Sequence, residues 1–380
     1  MKKIFGLVTL SLFAFAFIGC GGTTTTAAPT TAAPTTVAPT TDAPVTGYEI
    51  ALVTDVGNID DKSFNEGTWN GVVEYATANS KTYSYYRPTE DSTAARVEAM
   101  EAAINNGAKI VVCPGYLFEE AIFQMQTQHP DVYFLLLDGQ PHAGDYNIVT
   151  ADNTHNVLYQ EEQAGFFAGY AAVMEGYRDL GFVGGMAVPA VVRYGYGFVQ
   201  GAEYAADELG LAAGAVNIKY HYADVFWPDT DLETKMDLWY ATGTEVVFAC
   251  GGGLYISVVA AAERTTSGVV IGVDVDQKAE SDIIITSAMK ALTLSVVDAL
   301  TEFYDADMVW PEGLAGETAL LGVENDGVGL PTVTEAWRFE NFTIAQYEAV
   351  YALLVAGTVV VSPAIDVAPT VTLVTVDYDA

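Results

Sequence analysis

From Tyr48 onward, short β-branched or apolar runs alternate with longer stretches whose apolar residues recur every three or four positions. The short runs read as strands at 49–54, 82–86, 109–113, 133–137 and 147–150. The longer ones read as helices at 63–78, 93–105 and 118–128. Such alternation predicts a parallel sheet covered by helices on both faces.

The pattern then starts again. Gly181-Phe182-Val183-Gly184-Gly185 reads as a strand and loop, and Gly197-Phe198-Val199-Gln200-Gly201 echoes Gly67-Thr68-Trp69-Asn70-Gly71. The run 107–115 is echoed by 243–251, each with a Cys near its end, and each is followed by an apolar strand closing on Asp. Asp138 lies 25 residues after Cys113, and Asp274 lies 24 after Cys250. Two lobes of like construction follow. Ligands of open parallel sheets sit beyond the carboxyl ends of the strands, so Asp138 and Asp274 become equivalent candidates on facing lobes. The Gly251-Gly252-Gly253 turn offers close backbone approach and amide donors, or serves only as a tight turn.

A strand at 283–285, a helix at 287–304 and strands at 319–323 and 337–339 remain. Sent back to the first lobe, they give three crossings that form a hinge. The expected fold class is therefore α/β, with two Rossmann-like lobes joined by a multi-strand hinge. Residues 48–150 plus 277–340 make lobe 1, and 151–276 make lobe 2. Residues 341–380 form an extension that packs on the lobes or hinge, with strands or a flap at 358–361 and 370–376.

The start of the chain is a targeting signal. Lys2 and Lys3 precede an apolar run at 4–18, too short for a comfortable membrane span, and Gly19-Cys20 follows. Phe17-Ile18-Gly19-Cys20 resembles a bacterial lipobox, which makes Cys20 the lipidated residue and 1–20 the signal. Residues 21–47, mostly Thr, Ala and Pro, have no means of burying a core and read as a disordered tether. The expected location is the extracytoplasmic face of the cell membrane.

Composition narrows the partners. The net charge of −34, from 49 acidic and 15 basic residues, repels phosphate backbones and excludes nucleic acid. Cys113 and Cys250 end apolar runs and read as buried free thiols. The four His are dispersed and no Cys-x-x-Cys pair exists, so no zinc site is expected and no cofactor is called for.

The segment Thr54-Asp55-Val56-Gly57-Asn58-Ile59-Asp60-Asp61-Lys62-Ser63-Phe64-Asn65-Glu66-Gly67-Thr68-Trp69-Asn70-Gly71 resembles the signature of the basic membrane lipoprotein family, the purine-nucleoside receptor branch of substrate-binding proteins. Gly184-Gly185, 197–201, Val270-Ile271-Gly272-Val273-Asp274-Val275-Asp276-Gln277 and Ser287-Ala288-Met289-Lys290 are similar to later family segments. The resemblance implies a type I periplasmic-binding-protein (Venus-flytrap) fold. It also implies delivery of a nucleoside, or a similar small neutral solute, to the permease of an ABC importer, without catalysis. Carried over residue by residue, Phe64 is the first stacking ring and Phe226 the second, with Trp227 competing for that role. Asp138, with Asn65 and Asp55 beside it, meets the base. Asp274 accepts from the ribose hydroxyls and Lys290 donates to the sugar. Gly251 adds backbone contact, and Met186 stands against the base wall.

Three rivals accompany this reading. Asp55, Asp60 and Asp61 superficially match the calcium cluster of a nucleoside hydrolase, but Val53 stands where the leading acid belongs. The same fold also suits a sugar or a signalling molecule, since aromatic stacking is not specific to bases. A surface protein that has given up transport is the third.

Overall fold

The computed structural model describes residues 47–55 and 57–380. Cys20, the signal, nearly all of the tether and Val56 lie outside the described residues. No helix among the described residues is long and apolar enough to cross a membrane.

Two sheets form the frame, numbered here in chain order. The first has six strands in the order β11-β5-β4-β3-β1-β2. These are β1 (Ile50–Val53), β2 (Tyr83–Tyr86), β3 (Ile110–Pro114), β4 (Tyr133–Leu137), β5 (Thr154–Tyr159) and β11 (Thr318–Leu321). All its pairings are parallel. The second has seven strands in the order β12-β10-β9-β8-β6-β7-β13. They are β6 (Asp179–Gly184), β7 (Val216–Tyr222), β8 (Val246–Cys250), β9 (Val269–Asp274), β10 (Ile284–Lys290), β12 (Val328–Gly329) and β13 (Val374–Asp377). Only β12 runs antiparallel, against β10. β1, β3 and β8 are buried along their whole length, as strands covered on both faces must be. Each Val, Ile or Leu so buried contributes about 1.5–3 kcal/mol relative to exposure.

The first sheet is flanked by α1 (Phe64–Ala78), α2 (Thr93–Asn105), α3 (Glu119–Gln128) and α8 (Leu292–Asp305), the second by α4 (Glu161–Glu175), α5 (Pro189–Glu208), α6 (Thr230–Ala241) and α7 (Tyr255–Ala262). The seam between α4 and α5 is unusually close. A Cβ on Gly165 or Gly169 would stand 2.0 Å from a backbone oxygen of α5, and one on Gly197 or Gly201 about as near to α4. Two glycine pairs at i, i+4 therefore let the helix backbones touch. This contact sets the first turn of α4 against α5, which carries Arg193 to Glu161.

Several expectations need correction. Residues 147–150 form no strand. They belong to a surface loop in which Ile148 and Val149 are exposed. The fifth strand is β5, whose Thr, His and Asn disguised it. Asn156 is buried, and its amide nitrogen donates to the Thr150 and Thr318 hydroxyls at 3.0 and 3.1 Å. The lobe borders shift accordingly. β5 pairs in the first sheet, not the second, and β10 pairs with β9 in the second, not the first. The helix placed at 287–304 begins only at Leu292, because β10 runs on to Lys290. Residues 337–339 are irregular and form an aromatic cluster, with Trp337 and Phe339 at 5.1 Å and the Trp337 indole donating to the Phe342 carbonyl. Residues 358–361 are not a strand either, whereas β13 extends the second sheet beside β7.

The chain passes between sheets after β5, after β10 and after β11, three times as expected. The passages adjoin one another. Gln160 donates its N–H to Leu321 at 2.8 Å, and Ala291 donates to Gly327 at 2.9 Å. The C-terminal helix α9 (Ile344–Val355) braces them, its Tyr351 hydroxyl 3.0 Å from both the Val323 carbonyl and Asp326.

Candidate functional site

β4 and β9 each deliver an aspartate at the carboxyl edge of their sheet. Asp138 (φ 55°) and Asp274 (φ 65°) both take the left-handed conformation, which a short polar side chain tolerates. Next to them are the turns at Gly115 (φ 105°) and Gly251 (φ 140°). The internal repeat is thus also a geometric one. Between the lobes lies a cavity of about 950 Å³ lined from both sides.

Lys290, the last residue of β10, is the hub of its floor. The residue is 4% exposed, and its ammonium donates to Asp138 of the opposite lobe. It lies 3.3 Å from Glu161 and 3.8 Å from Asp274. The rings of Phe64, Tyr159 and Tyr194 stand 4.7, 5.4 and 5.4 Å from it. Arg193 adds a second cation, its Nε 2.5 Å from Glu161.

Burial lowers a lysine pKa, but Asp138, Glu161 and Asp274 more than offset it and hold Lys290 above its ordinary value. Burial pushes Asp138 up to about 7, against the pull of Lys290 and with a further push from Glu161. It also raises Asp274, opposed by Lys290 and the Ser63 hydroxyl. Glu161 is equally buried, yet Lys290 and Arg193 together keep it below its ordinary value. Three acids thus share two cations, and Asp138 Oδ1 is buried without a hydrogen-bond partner.

The entry to α1 supplies the first lobe's wall. Asp61 accepts the backbone N–H groups of Ser63, Asn65 and Glu66. It is the cap of the helix, although burial pushes its carboxyl up to about 6. Ser63 is thereby free to donate across the cleft to Asp274. Phe64 follows and lines the cavity. Asn65 spends its amide on Asp55 and Asp61, at 2.9 and 3.0 Å, so it fixes the loop that carries Asp55. The calcium reading loses its ligands here. Asp61 caps a helix, Asp60 is exposed, and no acid or thiol cluster fit for a metal occurs among the described residues.

On the second lobe, Phe226 packs against glycines. A Cβ on Gly185 or Gly251 would lie 2.3 or 2.7 Å from its ring. The Gly251 turn therefore seats the aromatic side chain as well as edging the cavity. Trp227 also lines the cavity but is half exposed at the rim. Asp55, Phe64, Asn65, Asp138, Phe226, Gly251, Asp274 and Lys290 converge on the one cavity. Met186 stands outside its lining, with its sulfur 3.9 Å from the Tyr116 hydroxyl of the other lobe. Sequence reasoning missed Glu161, Arg193 and Tyr194. The available signals were two acids opening an apolar helix and a rare Arg inside another apolar helix.

A family model described as "ABC transporter substrate-binding protein PnrA-like" matches residues 49–354. Basic membrane protein B of Borreliella burgdorferi is 27% identical over 303 residues, 76% of this chain and 82% of that one. The ABC transporter nucleoside-binding protein BmpA of Lactococcus lactis is 23% identical over 307 residues, 75% and 82% of the two chains. Among solved structures, an ABC transporter solute-binding protein from Aeropyrum pernix superposes with a TM-score of 0.68 at 20% identity, over 82% of this chain and 93% of that one. One from Conexibacter woesei gives 0.62 at 20% identity, over 83% and 98%. These structures share the fold.

Proposed function

Because the chain belongs to the family of PnrA-like ABC transporter substrate-binding proteins, which bind solutes rather than transform them, we propose that its cleft captures a nucleoside, a purine nucleoside above all, for delivery to a membrane permease. The observation that carries this reading is the floor of the cleft. Lys290 joins Asp138 and Asp274 of opposite lobes beneath the ring of Phe64.

A nucleoside suits that chemistry. A base is flat and apolar on its faces, and Phe64 and Phe226 offer a ring from each lobe. Its edge N–H groups need acceptors, and Asp138 Oδ1 is one without a partner. Vicinal ribose hydroxyls suit Asp274 as acceptor and Lys290 as donor. The Ser63 bond to Asp274 then exchanges for one to the ligand, and lobe closure bends the three adjoining passages. The named function of the Lactococcus lactis relative, nucleoside binding, agrees with this reading. A phosphate meets three carboxylates in the floor, so nucleosides are favoured over nucleotides.

The permease is a separate chain. Cys20 carries the lipid, and residues 21–47 tether the binding domain to the extracytoplasmic face of the membrane.

The test is isothermal titration with adenosine, guanosine, inosine, cytidine and ribose. Micromolar or tighter binding, about −8 kcal/mol or better, that is lost in Asp274→Ala supports the reading. A folded protein that binds none of the nucleosides moves it to another small solute.

A further inference from the structure

Away from Lys290, the first-lobe wall of the cavity carries a further cation, Arg96, near the start of α2. Arg96 is 3% exposed there and lines the cavity. One terminal nitrogen binds Asp91, and the Phe118 ring lies 5.9 Å from its guanidinium carbon. Its Nε is buried with no hydrogen-bond partner. Buried N–H groups are nearly always partnered, so an unpartnered one on a residue that lines the cavity marks a place where a ligand acceptor belongs. Arg96 acts electrostatically on Asp55 and Tyr116, and both of these also line the cavity.

We propose that Arg96 selects the base, donating to the acceptor edge of a 6-oxopurine, so that guanosine and inosine are preferred to adenosine. This rests on the nucleoside reading. Guanine presents two acceptors, O6 and N7, on one edge and donors at N1 and N2 on the next. Arg96 supplies the donor for the first edge, and Asp138 Oδ1 supplies the acceptor for the second. Adenine places an amino donor where guanine has O6, so Arg96 meets a second donor and Asp138 meets the lone pair of N1. A phosphate is a poorer occupant. Asp91 already pairs with this arginine, and Asp55 and Asp61 stand on the same side of the cavity.

The experiment is titration calorimetry of the protein and of Arg96→Met with guanosine, inosine, adenosine and 2-aminopurine riboside, which keeps the guanine amino group but lacks O6 and the N1 proton. The unaltered protein should bind guanosine and inosine about tenfold or more tighter than the other two. Arg96→Met should shrink that gap about threefold or more, leaving the part that Asp138 sets at N1. Adenosine binding as tightly as guanosine to the unaltered protein overturns the role of Arg96 and leaves nucleoside capture standing. So does a folded Arg96→Met variant that keeps the full preference. If the folded protein binds no nucleoside, both readings fall together. Should Arg96→Met fail to fold, the same comparison is made in Arg96→Met with Asp91→Asn, which leaves no carboxylate without its cation.

Discussion

The Ser63 hydroxyl donates to the Asp274 carboxylate, 211 residues further along the chain and on the opposite lobe. Ser63 holds the N-cap position of α1, yet its side chain caps nothing, because Asp61 does that work. The short polar side chain is thereby released to reach across the cleft. Ser63→Ala should lower stability by about 1.5–3 kcal/mol. Asp274→Ala should weaken nucleoside binding at least tenfold, as loss of an acceptor for a ribose diol requires. Calorimetry on the two variants separates the lobe contact from the ligand contact.

Lys290 neutralises carboxylates that are largely shielded from water. Lys290→Met leaves Asp138, Glu161 and Asp274 with Arg193 alone. Breaking a buried ionic group from one side costs about 3–5 kcal/mol. Urea unfolding should show that loss, and a second change, Glu161→Gln, should recover part of it. A Lys290→Met protein as stable as the parent is incompatible with this floor.

Stability should fall as the pH rises from about 4 to about 7. Burial lifts Asp138 from an ordinary 3.8 to about 7, Glu162 from 4.5 to about 7 and Asp61 from 3.8 to about 6. A carboxyl that is harder to ionise in the folded state binds more protons there than in the unfolded chain. Its contribution is full below the unfolded pKa and disappears as the pH passes the folded one. Glu161, held below its ordinary value, works in the opposite sense at lower pH. Unfolding midpoints at pH 5 and pH 8 check the sign, and Asp138→Asn should flatten the difference.

The α4–α5 seam links packing to the site. A Cβ on Gly197 would stand 2.1 Å from the Glu162 carbonyl oxygen. Gly197→Ala should therefore separate the helices at a cost of about 1–3 kcal/mol. It should also weaken ligand binding, because Glu161 and Arg193 meet through that seam. Thermal melts and titration should move together.

Gly251→Ala should act more narrowly. Its φ of 140° strains any side chain, and the new Cβ would press on the Phe226 ring at 2.7 Å. Nucleoside affinity should drop several-fold as the ring shifts, with a stability loss of about 1–3 kcal/mol. Unchanged affinity removes Phe226 from the binding wall.

The primary sequence was legible where one local rule decides the outcome. The apolar runs of β1, β3, β4 and β8 needed no partner to be recognised, because a strand buried on both faces must be apolar. The near-equal spacing from Cys113 to Asp138 and from Cys250 to Asp274 was legible too, since a repeat leaves its register in the chain. The motif from Thr54 to Gly71 carried the family. β5 stayed hidden because its buried Asn156 is tolerable only once Thr150 and Thr318 have been brought to it. The ionic floor stayed hidden too. Nothing near Glu161 in the chain shows that a buried acid will find Lys290, 129 positions onward, and Arg193 across a glycine seam. Burial of a charge is decided by long-range neighbours, and those exist only in the folded chain. What the sequence determined by itself was two like lobes, each ending a strand on aspartate. What the tertiary structure decided was which charges face one another between them, because the cost of an unpaired buried charge is settled by the whole fold rather than by any segment of it.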